Sequence, residues 1–221
     1  MSAQPGVRIA IDGPAGSGKS STAVRVARRL GFAYVDSGAL YRAATLLASR
    51  EASAGRVLDG GALARRLERT RVEQRLEPET NRTLLDGEDV TERLREAEVA
   101  RAVGRVAAQP EVRRVVTTKL REMASRAPTV MDGRDIGTVV APEAPLKVFL
   151  DASVQERARR RSAADRRTVD AEALARRDAQ DRGRATAPLA PAADAVVLLT
   201  DDLTLEQQVE RILELHHART V

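Results

Sequence analysis

Apolar residues along the chain gather into short continuous runs separated by longer stretches of helical period. The runs at 7–11, 32–35, 129–132, 146–150 and 195–199, interrupted by no more than one or two polar residues each, have the length of buried strands. After the first run the spacing lengthens, and Val24, Ala27 and Leu30 recur on one helical face. Such alternation predicts an α/β domain: a five-stranded parallel sheet with helices on both faces, closed by a helix over Leu203–Leu215.

Between Leu58 and Gln109 the pattern changes. Alternation over Val72–Leu76, a second short strand near Arg82–Leu85 and an Asp86-Gly87 turn predict a small hairpin accompanied by helices. The expected organisation is a core of residues 1–57 and 110–221 with an inserted subdomain at 58–109, the alternative being a decorative surface insertion.

Composition narrows the class. Of 221 residues, 43% are hydrophobic and 31% charged, which is globular rather than disordered or fibrous. There is no cysteine, and the two histidines are neighbours at 216 and 217, so disulfides, thiolate metal sites and a His-ligated zinc centre fall away. MSAQPGVR has no apolar signal core and no run of about 18 apolar residues occurs, so a soluble cytoplasmic protein without a membrane partner is expected. A net charge of +5 permits nucleic acid, but two Phe, two Tyr and no Trp leave little on which bases can stack. The basic residues are nearly all arginine; the lysines are Lys19, Lys119 and Lys147, and the first lies in a glycine-rich loop.

That loop, GPAGSGKS, fits the phosphate-binding pattern G-x-x-x-x-G-K-[ST], with the required strand before it and helix after it. Gly13, Pro14, Ala15, Gly16, Ser17, Gly18, Lys19, Ser20 and Ser21 are therefore assigned to the phosphates of a nucleoside triphosphate, in a P-loop NTPase-like fold. Lys19 bridges the outer phosphates, and the Ser20 hydroxyl is a ligand for Mg²⁺. GTPases, helicases, transporters and small-molecule kinases share this loop. The chain has no N-K-x-D motif, no helicase-type D-E-x-x strand and no repeat, which favours a small-molecule kinase.

Three further segments carry chemistry. In FAYVDSGALYRAA, Ser37 is the expected helix cap, and its hydroxyl, the Tyr41 phenol and the Arg42 guanidinium can converge on an anion, or lie on a plain exposed helix. In PTVMDGRDIGTVV a strand ends at Asp132, a carboxylate suited to orienting metal-bound water, followed by Gly133, Arg134 and Asp135; a simple Asp-Gly turn explains the local pattern equally well. In residues 156–187, Arg157, Arg160 and Arg161 share one helical face and Arg177, Asp181 and Arg184 another, predicting a hairpin lid, or a solvated charged face.

Taken in order, IDGPAGSGKS, YVDSGALYRA, DGRDIGTVV, KVFLDAS and RDAQDRGRATAPLAPAADA resemble the bacterial cytidylate kinase family over nearly the whole chain. The resemblance implies transfer of the ATP γ-phosphate to CMP or dCMP, with Mg²⁺, by a cytoplasmic monomer acting on small nucleotides and not on nucleic acid. It implies that Ser37, Arg42, Arg134 and Arg184 hold the acceptor phosphate, that Arg113 and Asp135 read the cytosine edge, and that Arg177 and Asp181 meet the ribose. It also implies that Lys19, Arg157, Arg160 and Arg161 gather, with Arg134, around the moving phosphoryl group, and that the insertion binds the monophosphate. Two positions depart from the family pattern, Gly104 where a serine helps bind the base and Gln180 where a further lid arginine stands, and the Ser162–Ala175 linker is shorter than in some relatives. A broader pyrimidine (UMP/CMP) monophosphate kinase and a non-enzymatic nucleic-acid-binding P-loop protein are the alternatives.

Overall fold

The structure, a computed structural model, describes residues 4–77, 81–165, 170–184 and 186–220. In chain order the elements begin with β1 (Gly6–Asp12), α1 (Lys19–Leu30), β2 (Ala33–Asp36), α2 (Ser37–Ser53) and α3 (Gly60–Glu68). They continue with β3 (Val72–Leu76), β4 (Asn81–Leu85), β5 (Glu88–Asp89), α4 (Ala97–Ala107), α5 (Pro110–Ala124) and β6 (Pro128–Gly133). The last are β7 (Leu146–Asp151), α6 (Val154–Asp165), α7 (Ala171–Arg182), β8 (Val196–Leu199) and α8 (Leu205–Thr220). Two compact units divide the chain, one running to Ala33 and resuming at Ala127, the other Tyr34–Arg126.

The larger sheet has the order β2-β6-β1-β7-β8. β1 pairs in parallel with both β6 and β7, and β7 with β8. Ile9, Ala10 and Ile11 are wholly buried, and Val130, Met131, Leu146 and Leu150 beside them are equally so, which is why these strands read as mainly apolar runs, interrupted at Arg8 and Lys147. α1 packs on β6 and β1, and α8 packs on α1 and β7. The closing helix is Leu205–Thr220, starting two residues later and ending five later than the periodicity predicts, because Thr204 bonds the amide of Gln207 just before the first turn and His216 packs its ring edge on Phe32.

In the second unit α2 to α5 pack around Leu40, Leu46, Leu63, Leu67, Val99, Val112 and Leu120. Its sheet is antiparallel, β3-β4-β5, with β5 a strand that the sequence pattern does not signal. Asp86 and Gly87, at φ 48° and 89°, turn β4 into β5; positive φ at both central positions suits the twist of a two-residue hairpin, and the Asp86 carboxylate accepts from the Arg71 amide at 2.7 Å.

Candidate active site

β1 ends at Asp12, and the chain then turns through Gly13, Gly16 and Gly18 at φ 147°, 81° and 94°. A Cβ at Gly13 would stand 2.0 Å from the Leu150 carbonyl oxygen, so the loop approaches β7 too closely for any side chain there. α1 has no acidic residue in its first turn, and its positive N-terminal end faces the loop unneutralised. The Lys19 ammonium folds back over the loop, donating to the Pro14 carbonyl at 2.7 Å. The Ser20 hydroxyl donates to Asp132 Oδ2 at 2.8 Å, uniting the two residues that the sequence assigns to a metal. Beside the loop lies a groove of about 640 Å³, lined by Gly16, Gly18, Lys19, Ser20 and Ser21, by Glu156 and Arg159–Arg161 of α6, by 201–205, which include Asp201 and Asp202, and by Gln208.

The loop and the turn after β6 are stitched in both directions. Arg134 Nη1 donates to the Gly13 carbonyl at 2.6 Å. In return, Asp12 Oδ1 accepts from the Ile136 amide at 2.8 Å and Oδ2 from the Gly137 amide at 2.7 Å. Burial pushes the Asp12 carboxyl up to about 6, with Asp135 acting the same way, while the Gly137 and Ile136 amides and Lys19 pull it down. Arg134 also lies 3.5 Å from Asp181, which pairs with Arg184. Burial lowers the Arg134 guanidinium to about 10, Asp181 opposes this, and Arg177 and Arg184 lower it further; it is still charged at neutral pH. Arg134 and Arg184 thus share Asp181, with Arg177 and Asp178 close enough to act on Arg134, a cluster of arginines fit for an anion.

α6 and α7 pack as a pair, with Ala158 and Leu174 closing on Ala15 of the loop. Asp170 caps α7, accepting from the Glu172 and Ala173 amides. Arg157 is 2% exposed: Nε donates to Ala152 O at 2.9 Å, Nη1 to Ala15 O at 3.1 Å, and Nη1 meets Asp178 Oδ2 at 2.6 Å. Arg160 reaches Glu156 at 2.7 Å and the Thr200 hydroxyl at 2.9 Å, and Arg161 lines the groove. Arg184 falls beyond the end of α7 at Arg182, so its expected place on one helical face with Arg177 and Asp181 is corrected: Gly183 ends the helix and Arg184 folds back onto Asp181.

In the second unit the cap of α2 is Asp36, not Ser37. Asp36 keeps an extended backbone and its Oδ1 accepts from the Ala39 amide at 3.0 Å, while Ser37, buried, is already the first helical residue. Asp36 Oδ2 also holds Arg42 at 2.7 Å, and a Cβ at Gly38 would stand 2.9 Å from Arg42 Nη1. Arg113 lies with its guanidinium carbon 5.4 Å from the Tyr41 ring centre and donates to Ala107 O at 3.1 Å. Gly104 is exposed on α4, and a Cβ there would meet nothing within 4 Å. Sequence reasoning missed Asp12, Asp36 and Asp178; the signal available was a carboxylate at the end of an apolar strand run, which Asp12 and Asp36 both share.

The cytidylate kinase family model matches residues 9–218. A cytidylate kinase of Geobacillus sp. (strain WCH70) is 43% identical over 221 residues, covering 96% of this chain and 97% of that protein. One from Desulfitobacterium hafniense (strain Y51) is 46% identical over 218 residues, covering 95% and 92%. Among solved structures, a shikimate kinase from Bacteroides thetaiotaomicron matches at TM-score 0.50 and 17% identity over 96% of this chain and 98% of its own, a likeness of fold alone. A match that runs from β1 into α8, with relatives covered almost end to end, means that this chain belongs to the cytidylate kinase family.

Proposed function

We propose that the chain transfers the γ-phosphoryl group of ATP to CMP or dCMP, giving ADP and CDP or dCDP. The observation that carries this reading is the family match over residues 9–218; a loop with positive φ at Gly13, Gly16 and Gly18, Lys19 folded over it and Ser20 beside Asp132 supports it. Phosphoryl transfer needs in-line positioning and charge neutralisation rather than a covalent nucleophile. The loop amides and Lys19 hold the donor phosphates, and Arg160 and Arg161 add positive charge from the groove wall. Arg157 acts from beneath, through its bond to the Ala15 carbonyl.

On the acceptor side, Arg134 and Arg184 take the monophosphate, with Ser37, Tyr41 and Arg42 assigned to the same anion. Asp135 accepts from the cytosine amino group, Arg113 donates to the base, and Arg177 with Asp181 meets the ribose. The acceptor is already an anion, so no strong general base is required. Ser20 and Asp132 fit Mg²⁺, being hard oxygen donors 2.8 Å apart at the mouth of the loop. The ion, when bound, neutralises phosphate oxygens. The reading carries with it a monomer of the cytoplasm working on free nucleotides, with residues 58–109 as its monophosphate subdomain and 156–187 as its lid.

One observation favours a broader pyrimidine kinase as second reading: the open space at Gly104 leaves the base without the contact that a serine would supply there. A coupled assay with ATP and each of CMP, dCMP, UMP and AMP decides between the readings. CMP and dCMP leading supports the first, UMP equal to CMP supports the second, and no turnover with any pyrimidine monophosphate overturns both.

A further inference from the structure

Asp12 has no part in the chemistry just described, yet it is among the most enclosed carboxylates of its unit, 5% exposed at the end of the central strand. Both of its oxygens are used on backbone. They take the amides of Ile136 and Gly137, the first residues of the turn Ile136–Val140 that follows Arg134 and Asp135. Asp135 itself stands just before that turn, 4% exposed. From the other side, the Arg134 side chain is fixed to the Gly13 carbonyl, one residue after Asp12. The last residue of β1 and the first of the phosphate loop therefore hold the 134–137 segment at both of its ends.

The fit leaves little freedom. A Cβ at Gly137 would lie 3.1 Å from Lys147 Cδ and 3.4 Å from Asp12 Oδ2, so a glycine there lets the backbone press against the carboxylate. Lys147 is itself pinned to Asp194 at 2.9 Å, giving that wall a fixed position. We propose that Asp12 is a positioning residue for the acceptor nucleotide: its carboxylate, by holding the Ile136 and Gly137 amides, sets the orientation in which Arg134 and Asp135 receive the monophosphate. The inference rests on the acceptor roles given above to Arg134 and Asp135. A brace of the fold alone would serve donor and acceptor alike, whereas this clamp acts on the acceptor side, since the loop has its own bonds from Lys19 to Pro14 and Ser17.

The test is Asp12→Asn, in which the amide oxygen accepts one N–H while its NH₂ group faces the other as donor against donor. Steady-state kinetics on parent and variant should show the KM for CMP raised by about tenfold or more, and the KM for ATP within about twofold of the parent. Exchange of the Ile136 and Gly137 amide protons, followed by NMR on the full chain, should quicken by at least about tenfold. Gly137→Ala, which crowds the same contact and keeps the carboxylate, should raise the KM for CMP by about threefold and serves should Asp12→Asn fail to fold. An unchanged KM for CMP, or equal rises for CMP and ATP, overturns the clamp. A parent that phosphorylates no pyrimidine monophosphate overturns the functional reading instead, and is seen before any variant is made.

Discussion

Asp178 offers the sharpest test of how α6 and α7 are held. Its carboxylate and the Arg157 guanidinium are each 2% exposed in their side chains and 2.6 Å apart. Removing one member of a buried pair leaves the other as an uncompensated charge, at a cost of about 3–5 kcal/mol. Arg157 keeps two carbonyl acceptors, Ala152 O at 2.9 Å and Ala15 O at 3.1 Å, so Asp178→Ala belongs at the lower end, about 3 kcal/mol. The apolar cluster beneath the helices is small, with Ala15, Ala158 and Leu174 as its buried members, so the loss should appear as local opening rather than global unfolding. Three kcal/mol is about two orders of magnitude in an opening constant. Native-state hydrogen exchange on α6 and α7 amides reads it directly, with the β1 and β6 amides as internal reference. Replacing both charges, Arg157→Met with Asp178→Leu, should recover most of the stability. A change under about fivefold in α6–α7 exchange for Asp178→Ala, or no recovery in the double variant, refutes the reasoning.

Lys19→Ala removes the ammonium that lies over the loop, and kcat should fall by at least about a hundredfold while circular dichroism stays that of the parent; near-normal turnover contradicts the loop assignment. The buried Asp12 carboxyl gives a pH dependence of definite sign. Its value in the fold, about 6, stands above the ordinary 3.8, so the stability tied to its protonated form is complete below about 3.8 and is lost as pH rises through about 6. The loss by neutral pH is roughly 3 kcal/mol. His216, whose value burial lowers, acts oppositely, destabilising the fold as pH falls below 6.5, and the difference between parent and Asp12→Asn isolates the carboxyl. Urea unfolding of both at about pH 4.5 and about pH 7.5 should show the parent declining relative to the variant; parallel pH dependences contradict the burial argument.

The inner strands of the larger sheet are legible because a parallel strand covered on both faces holds mostly apolar residues, as Ile9–Ile11 do and Leu146–Leu150 do apart from Lys147, whereas β8, at the edge, leaves Val197 and Leu199 exposed. The phosphate loop is legible because its chemistry is local: glycines where φ is positive, then Lys19 and Ser20 at the helix start. Partners distant in sequence are not. Nothing around Asp12 announces that amides 124 residues away complete its hydrogen bonds, and nothing around Arg157 points to Asp178. Asp36 and Ser37 are both good cap residues, and only the extended backbone at 36 decides between them. The lid arginines are legible as a charged face, but not which of them is buried: Arg157 and Arg160 differ by less than one helical turn, and the Ala152 and Ala15 carbonyls draw only the first inside. β5, two residues long, is too short to leave a period.

In the proposed reading, Asp135 is the residue by which the kinase selects cytidine monophosphates. Asp135, 4% exposed, can accept a hydrogen bond from the cytosine amino group, whereas uracil would set a carbonyl oxygen against it. The decisive measurement is kcat/KM for CMP and for UMP, with ATP saturating, on the parent and on Asp135→Ala. A CMP preference of at least about tenfold is expected in the parent, equivalent to roughly 1.4 kcal/mol, and a smaller ratio in the variant. Equal use of the two nucleotides by the parent, or a ratio that Asp135→Ala leaves unchanged, contradicts it.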